Sequence, residues 1–225
     1  MSLTTPSGGI EELVDETSGK EIVLTPPLVD RFADLTKKYE QSLGLGAREV
    51  WARNYVHDVL LPSDIDLFLQ QTREYEHHPN YQIHSGYFIS QLIQNSYKAG
   101  NNDFEFDVIL LKPIDYLASE VVSGTKERTV KTTIKGEVGN FCGSGVKYSA
   151  FTIGKASDWC GYRAEHSTFT IEKAGDLCGS ITKYSNFKTN NKDQYKRFKE
   201  SVPLNEGNTL YLLSSDDSVL KGGSW

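Results

Sequence analysis

Three cysteines recur at a constant step of 18 residues, and this spacing constrains the fold of the chain more than any other feature. They are Cys142, Cys160 and Cys178. Glycine, serine and phenylalanine columns keep the same step: Gly143, Gly161, Gly179, Ser149, Ser167, Ser185, Phe151, Phe169 and Phe187. Residues 139–156 and 157–174 share 8 identities, and 157–174 and 175–192 share 5. Such a period, without helical spacing inside the unit, is typical of coils of a parallel β-solenoid.

Identical residues in neighbouring coils should touch, because stacked coils lie about 4.8 Å apart, the ordinary spacing of strands. The three phenylalanines are therefore expected to form a buried aromatic stack, and the three cysteines a ladder of small core residues. The glycine after each cysteine indicates a tight bend where no side chain fits or φ is positive. Asn140, Asp158 and Asp176 precede the cysteines, where short polar side chains bond the local backbone, and the serines should do the same at another corner.

Four amphipathic patterns precede the repeats, with apolar residues at steps of three and four. They begin near Thr25, Val50, Ser63 and Ser85. Ser63 and Asp66 have the spacing of a capping box, in which the two side chains bond the first backbone N–H groups of a helix. These patterns predict four short helices in the N-terminal half.

Strand patterns follow. Phe104–Val108 alternates with period two, and Thr129–Ile134 is rich in β-branched residues. Lys192–Val202 is predicted as a closing helix and Thr209–Leu213 as a last strand. The chain is thus predicted to be α+β, with a helical N-terminal half followed by about three 18-residue solenoid coils. The predicted segments are a flexible N-terminal stretch (1–24), a mainly helical domain (25–128), the solenoid repeats (129–190) and a capping helix, strand and tail (191–225).

Gly136, Gly139 and Gly143 form a GxxGxxxG pattern, which the next coils keep imperfectly. The pattern resembles the repeat of the right-handed β-helix in the glutamate synthase large subunit, found also in one of the subunits of formylmethanofuran dehydrogenase. The resemblance covers about 134–190 of the 225 residues. It implies right-handed coils that connect and pack without catalytic residues.

The whole chain also resembles uncharacterised archaeal proteins that join a helical front half to repeats of the CG…NSTFTI type. The matching residues are Cys160-Gly161 and the run His166–Ile171. That family has no assigned activity, so the resemblance implies a fold and leaves the function open.

Composition limits the possible partners. The formal net charge is −6, which gives no overall footprint for nucleic acid. No apolar stretch approaches the ~20 residues of a membrane helix, so no membrane partner is expected. Three cysteines in ladder positions argue against a disulfide framework and fit a reducing compartment. The first 20 residues lack the pattern of a signal peptide, so a cytoplasmic, soluble protein is expected.

The cysteine ladder and the histidines are the candidate metal sites. Zinc requires four converging ligands, whereas the ladder offers three sulfurs in a row, so core packing is the favoured interpretation. Glu76, His77 and His78, with His84 beyond, form the densest cluster of metal-capable groups, but no HExxH motif is present. Exposed loop histidines are the favoured interpretation, and the His57-Asp58 pair is taken as a chance dipeptide.

Paired carboxylates and basic residues also have two interpretations each. Asp158 and Asp176 could serve as a glycosidase pair, but short coils without long loops favour a role in turns. Glu165 alternates in charge with Lys147 and Lys183, which predicts solvent-facing cross-strand pairs. The run 192–199 could touch an acidic partner or nucleic acid, and a capping helix with a solvated face is favoured.

The resulting functional hypothesis is a non-catalytic scaffold or protein-interaction module. It has no catalytic, cofactor-binding or metal-binding residues, and its partner is a protein, either a second copy or another chain. The alternative is a hydrolase or other metal-dependent enzyme, with a site between the helical half and the solenoid that uses His77, His78 or His84.

Overall fold

The protein is described by a computed structural model that covers residues 32–46, 56–214 and 219–224. The chain divides into two compact units, Met1–Asp34 and Leu35–Trp225, and the second contains nearly all of these residues. The α-helices are α1 (Ala33–Leu43), α2 (Pro62–Gln71), α3 (Tyr81–Lys98) and α4 (Lys192–Ser201). Short 3-10 helices occupy Thr72–Tyr75 and Leu204–Glu206.

The predicted helices agree with the structure in existence more than in boundary. Helix α2 begins with Pro62, and Leu61 at its N-cap makes no side-chain cap bond, so the predicted capping box at Ser63 is wrong. Proline needs no N–H acceptor at this position, so it starts the helix by itself. Helix α3 begins four residues before Ser85. Residues 56–61 are not helical, and the other part of the helix predicted from Val50 lies outside the described residues, as do 1–31.

Aromatic rings join the helices. Tyr39 of α1 packs edge-on against Phe68 of α2 at 5.9 Å and against Phe88 of α3 at 5.2 Å between ring centroids. Its hydroxyl lies 2.7 Å from the Ser85 hydroxyl, so the polar end of the buried ring is paired. The inward positions predicted for α2, Ile65 and Phe68 among them, are buried.

Seven strands form one sheet in sequence order. They are β1 (Asp103–Asp107), β2 (Val130–Val138), β3 (Ser149–Ala156), β4 (Thr168–Ala174), β5 (Asn186–Thr189), β6 (Thr209–Leu213) and β7 (Val219–Ser224). Strands β1 to β6 are parallel, and β7 pairs antiparallel with β6. The fold is therefore mixed α+β. Among the described residues, no helix is long and apolar enough to cross a membrane.

The 18-residue step is the register of the sheet. Phe151 lies opposite Phe169, which lies opposite Phe187. Their rings stack face to face, with centroids 4.9 Å and 5.1 Å apart and planes inclined by 2° and 7°. All three are buried, which confirms the predicted aromatic stack.

The turns after the strands pair as well. Gly161 N–H donates to the Cys142 carbonyl and Gly179 N–H to the Cys160 carbonyl, each at 2.8 Å. Glu165 forms a parallel bridge with Lys147 and another with Lys183. We call one strand with the turn that follows it a layer. Successive layers are thus hydrogen-bonded along both the strand and the turn.

The sequence repeat misses one layer. Residues 114–124 follow β1 and bond to the turn of the next layer as the repeats bond to each other. Gly143 N–H donates to the Leu117 carbonyl at 3.1 Å, and Tyr116 N–H to the Asn140 carbonyl at 2.8 Å. Tyr116 and Phe141 stack, although they are 25 rather than 18 residues apart. The turn at Thr125–Arg128 accommodates the longer step.

Helices cover both ends of the stack. At the first layer, α3 packs so closely that a methyl group on Gly86 would overlap the Asp115 carbonyl. At the last turn, Phe198 of α4 lies 5.5 Å from the Phe187 ring, and Val202 packs beside Gly179. The predicted closing helix at 192–202 and strand at 209–213 are confirmed.

Candidate functional site

The cysteine column is buried. Cys142, Cys160 and Cys178 are free thiols with at most 1% of their surface exposed. A hydrogen bond with Cys142, together with burial, raises the pKa of Cys160, and a hydrogen bond with Cys160 does the same for the pKa of Cys178. These thiols stay protonated at neutral pH, whereas the thiolate is the form that attacks substrates or binds metals.

The glycines after the cysteines satisfy both halves of the prediction. Gly143, Gly161 and Gly179 have φ values of 63°, 68° and 75°. A Cβ atom on Gly143 would lie 2.8 Å from Phe169 Cε1, and one on Gly179 would lie 2.7 Å from Phe187 Cζ. The bend therefore requires glycine for its backbone angle and for its closeness to the phenylalanine stack.

The Asn/Asp column bonds the next layer rather than the local backbone. Asp158 N–H donates to Asn140 Oδ1 at 3.1 Å, and Asp176 N–H donates to Asp158 Oδ1 at 2.8 Å. Parallel layers bring the backbone of the following layer within reach, which is why the predicted partner was wrong. The Asp158 carboxylate is thus engaged in a structural bond, and no catalytic pair forms with Asp176.

The serine column bonds both ways. Ser167 Oγ donates to the Glu165 carbonyl at 2.9 Å and accepts from Ser149 N–H at 3.2 Å. Ser185 Oγ likewise accepts from Ser167 N–H at 3.2 Å. The predicted local bonds are confirmed, and the additional bonds tie adjacent layers together.

The charged column forms the expected pairs. Lys147 Nζ lies 2.8 Å from Glu165 Oε2, and Lys183 Nζ lies 3.5 Å from Glu206 Oε2. All four side chains are more than a third exposed, so each pair contributes little to stability. This column is a solvated face of the sheet.

The three candidate histidines lie in different environments. His77 is exposed, whereas the half-buried His78 accepts a hydrogen bond from Asn80 N–H at its Nδ1, at 3.2 Å. His84 is completely buried in α3, and its Nδ1 lies 2.7 Å from the Ser42 carbonyl. Because a carbonyl only accepts, Nδ1 carries the proton. Within the described ranges, no three His, Cys, Asp or Glu side chains are grouped so that they could hold a metal.

Burial gives His84 a pH-dependent role. Burial lowers the pKa of His84 from its ordinary value, and its Nε2 has no partner within the described part of the chain. Protonation would place a charge and an unpaired donor in the interior, which disfavours the folded state.

We expect the free energy of unfolding to decrease as the pH falls below about 6.5, because the unfolded chain binds this proton first. The loss continues down to the folded pKa, at up to about 1.4 kcal/mol per pH unit. His84→Gln cannot titrate and should lose this part of the pH dependence. Urea unfolding across this pH range measures it, with His77→Gln as the exposed control. A His84→Gln variant with the wild-type pH dependence would contradict the assignment.

The two remaining candidates are occupied by ion pairs. Asp58 of the His57-Asp58 dipeptide pairs with Lys38 at 2.7 Å. On α4, Lys196 pairs with Asp193 at 3.0 Å and Arg197 with Asp176 at 3.5 Å. Tyr195 and Phe198 of this helix are buried, and its basic side chains face solvent.

Two further aromatic stacks run along the layers, and sequence reasoning missed both. One contains Tyr87, Tyr116, Phe141 and Trp159, with centroid distances of 4.8, 4.9 and 5.9 Å. The other places His166 between Tyr148 and Tyr184, at 4.9 and 5.0 Å. Apart from Tyr87, these residues have positive φ, which sets their side chains side by side on the outside of the turns.

No protein-family model, curated protein or solved structure matches this chain.

Proposed function

We propose that residues 129–190 form a short right-handed parallel β-solenoid of about three coils, and that the chain is a non-catalytic scaffold or protein-interaction module. The observation that carries this proposal is the use of the repeated polar side chains as bonds between layers. Carboxylates, hydroxyls and thiols that could do chemistry are instead tied to backbone groups or to each other.

The contacts of the turns support a solenoid rather than an open sheet with loops. Glu165 N–H donates to the Val146 carbonyl at 2.9 Å, and Lys183 N–H donates to the Ala164 carbonyl at 3.0 Å. These bonds lie far from the strands in sequence and repeat at the same step. A coil that is bonded on both sides buries a common core, which here contains the cysteine and phenylalanine columns.

A stack of this length depends on what covers its ends, because an open end exposes backbone groups and apolar core. Helices α3 and α4 provide part of that cover. We propose that the remainder of the surface serves a protein partner, either a second copy or another chain. The net charge of −6 and the paired cations of α4 argue against nucleic acid. Three free thiols support a reducing compartment such as the cytoplasm.

Affinity purification of the tagged chain from its own organism, at native expression level, tests this proposal. We expect a stoichiometric protein partner in mass spectrometry and no stoichiometric metal in elemental analysis. A chain that is isolated without any partner and carries zinc or manganese, which is lost in His78→Ala, would contradict the scaffold role and favour the metal-dependent hydrolase.

A further inference from the structure

Each layer receives the next one through a two-point contact with a single residue. Asp158 donates its N–H to Asn140 Oδ1 and accepts at its carbonyl from Phe141 N–H, at 3.1 and 3.0 Å. Asp176 makes the same two bonds to Asp158 Oδ1 and Trp159 N–H, at 2.8 and 3.0 Å. A carboxyl or amide oxygen and the following N–H thus form a receptor for one peptide unit.

The same geometry exists one layer earlier. Asn140 donates its N–H to Asp115 Oδ1 at 2.6 Å, and its carbonyl accepts from Tyr116 N–H at 2.8 Å. The receptor is therefore built and filled three times within the chain.

The fourth receptor is empty. It consists of the Asp176 carboxylate and Leu177 N–H. Across the described ranges, no backbone N–H donates to this carboxylate, whose oxygen lies 3.5 Å from Arg197, and no group accepts from Leu177 N–H. Ile181 N–H also lacks an acceptor there, although Arg163 N–H, one layer back, donates to the Ser180 carbonyl at 3.1 Å.

The chain after α4 covers only the inner side of this last turn. Ser201 Oγ donates to the Cys178 carbonyl at 2.6 Å, and Asn208 Nδ2 donates to the Thr182 carbonyl at 2.8 Å. The outer corner remains open, and Leu177 and Ile181 are 45% and 55% exposed.

A buried amide independently points to a ligand at this corner. A cleft of about 300 Å³ separates the turn from α4 and is lined by Asp176, Leu177, Gln194, Arg197 and Phe198. Gln194 is only 6% exposed. Its Oε1 accepts from Ala174 N–H at 3.0 Å, whereas its Nε2 has no partner in the part of the chain that the structure describes. Such a donor requires a carbonyl or carboxyl oxygen.

We propose that the turn 176–181 and helix α4 form a docking site for an extended peptide segment of another protein. One peptide unit of that segment donates to the Asp176 carboxylate and accepts from Leu177 N–H, and a second carbonyl accepts from Gln194 Nε2. The next large apolar side chain packs on Leu177, as Trp159 packs on Phe141 at 5.9 Å. This site deepens the proposed scaffold function and rests on it.

A second copy of this chain is the less suitable occupant. A head-to-tail copy would have to offer its first layer, and α3 already covers that layer. Asp115 N–H donates to the Gln82 carbonyl at 3.1 Å, and Tyr87 stacks on Tyr116 at 4.8 Å. The peptide therefore comes from another protein.

The test uses a synthetic peptide of residues 155–166 of this chain with Cys160→Ala, which carries the Asp158-Trp159 pair that fills the receptor one layer back. We expect titration into the labelled full chain to shift the amide resonances of Leu177 and Ile181 and the side-chain amide of Gln194. The amides of Trp159 and Arg163, which occupy the same positions one layer back and are already bonded, should not shift. A scrambled peptide should leave all five unchanged.

Asp176→Ala should weaken this binding about tenfold, because the receptor loses its acceptor. Asp193→Ala, an exposed acid of α4 with the same charge change, should bind like the wild type. Equal binding by Asp176→Ala, or shifts confined to other surfaces, would overturn the site. A second measurement needs no variant: in the free wild type, Leu177 N–H should exchange with solvent faster than Trp159 N–H, and the peptide should slow it.

The outcomes separate this site from the scaffold function. A partner that still co-purifies with Asp176→Ala would place the scaffold's contact elsewhere and reject the docking site alone. A chain without a partner whose Leu177 resonance still responds to the peptide would retain the site and reject the broader role.

Discussion

Phe169→Asp should unfold the chain or drive it into aggregates, with a loss of at least about 4 kcal/mol in the free energy of unfolding. The ring is fully buried between Phe151 and Phe187 at 4.9 and 5.1 Å, so a carboxylate there would have neither water nor a partner. Circular dichroism and urea unfolding measure the effect.

Thr170→Asp is the matched control. Thr170 is the next residue of β4, and its half-exposed side chain points to the opposite face of the strand. We expect this variant to remain folded, with a change below about 1 kcal/mol, as is usual for exposed substitutions. A folded Phe169→Asp protein with wild-type stability would reject the aromatic stack as the core.

Gly143→Ala is expected to cost about 2–4 kcal/mol. Its φ of 63° is strained for any residue with a Cβ, which costs about 1–2 kcal/mol. The new methyl group would also lie 2.8 Å from the ring of Phe169, which adds the cost of overpacking a core. The measurement is the midpoint of thermal or urea unfolding.

Gly145→Ala separates the two causes. Gly145 has a similar φ of 69°, but a Cβ there would meet only the Glu120 side chain at 3.2 Å. Arg163 and Ile181 already occupy the same column with φ of 57°. Only the backbone cost of about 1 kcal/mol should remain. If both alanine variants lost the same stability, the close packing of the glycine column against the rings would be refuted.

The repeat columns could be predicted because identical residues at a constant step occupy equivalent positions in a parallel register. Cys160 and Phe169 declare their neighbours through the sequence alone. The empty receptor at Asp176 could not be inferred in this way. Its sequence matches the filled receptors at Asn140 and Asp158, and only the path of the chain after Ser201 leaves its outer side open.

The first layer escaped prediction because its contacts depend on geometry rather than on identity. Tyr116 and Leu117 occupy the positions of Phe141 and Cys142, but the residue types differ and the step is 25. An aromatic residue in the column shared by Tyr116, Phe141 and Trp159 is a signal that a search by residue class would have found. The start of α3 was missed because Tyr81 begins the helix without a side-chain cap.

The roles of these columns limit the chemistry available to the repeats. Raised thiol pKa values keep Cys160 and Cys178 protonated, and the Asp158 carboxylate already accepts a backbone hydrogen bond. A scaffold needs these groups only for stability. In the proposed role, selectivity therefore resides at the open end of the stack, where the repeat pattern lacks its next member.

Residue-resolved amide hydrogen exchange tests the central proposal, a solenoid of bonded coils, most directly. The turn amides of Gly161, Glu165 and Gly179 should be as strongly protected as the strand amides of Phe169 and open with the same free energy, because both belong to one cooperative unit. Turn amides that exchange like an unstructured peptide while the strands remain protected would show a parallel sheet with free loops and contradict the solenoid.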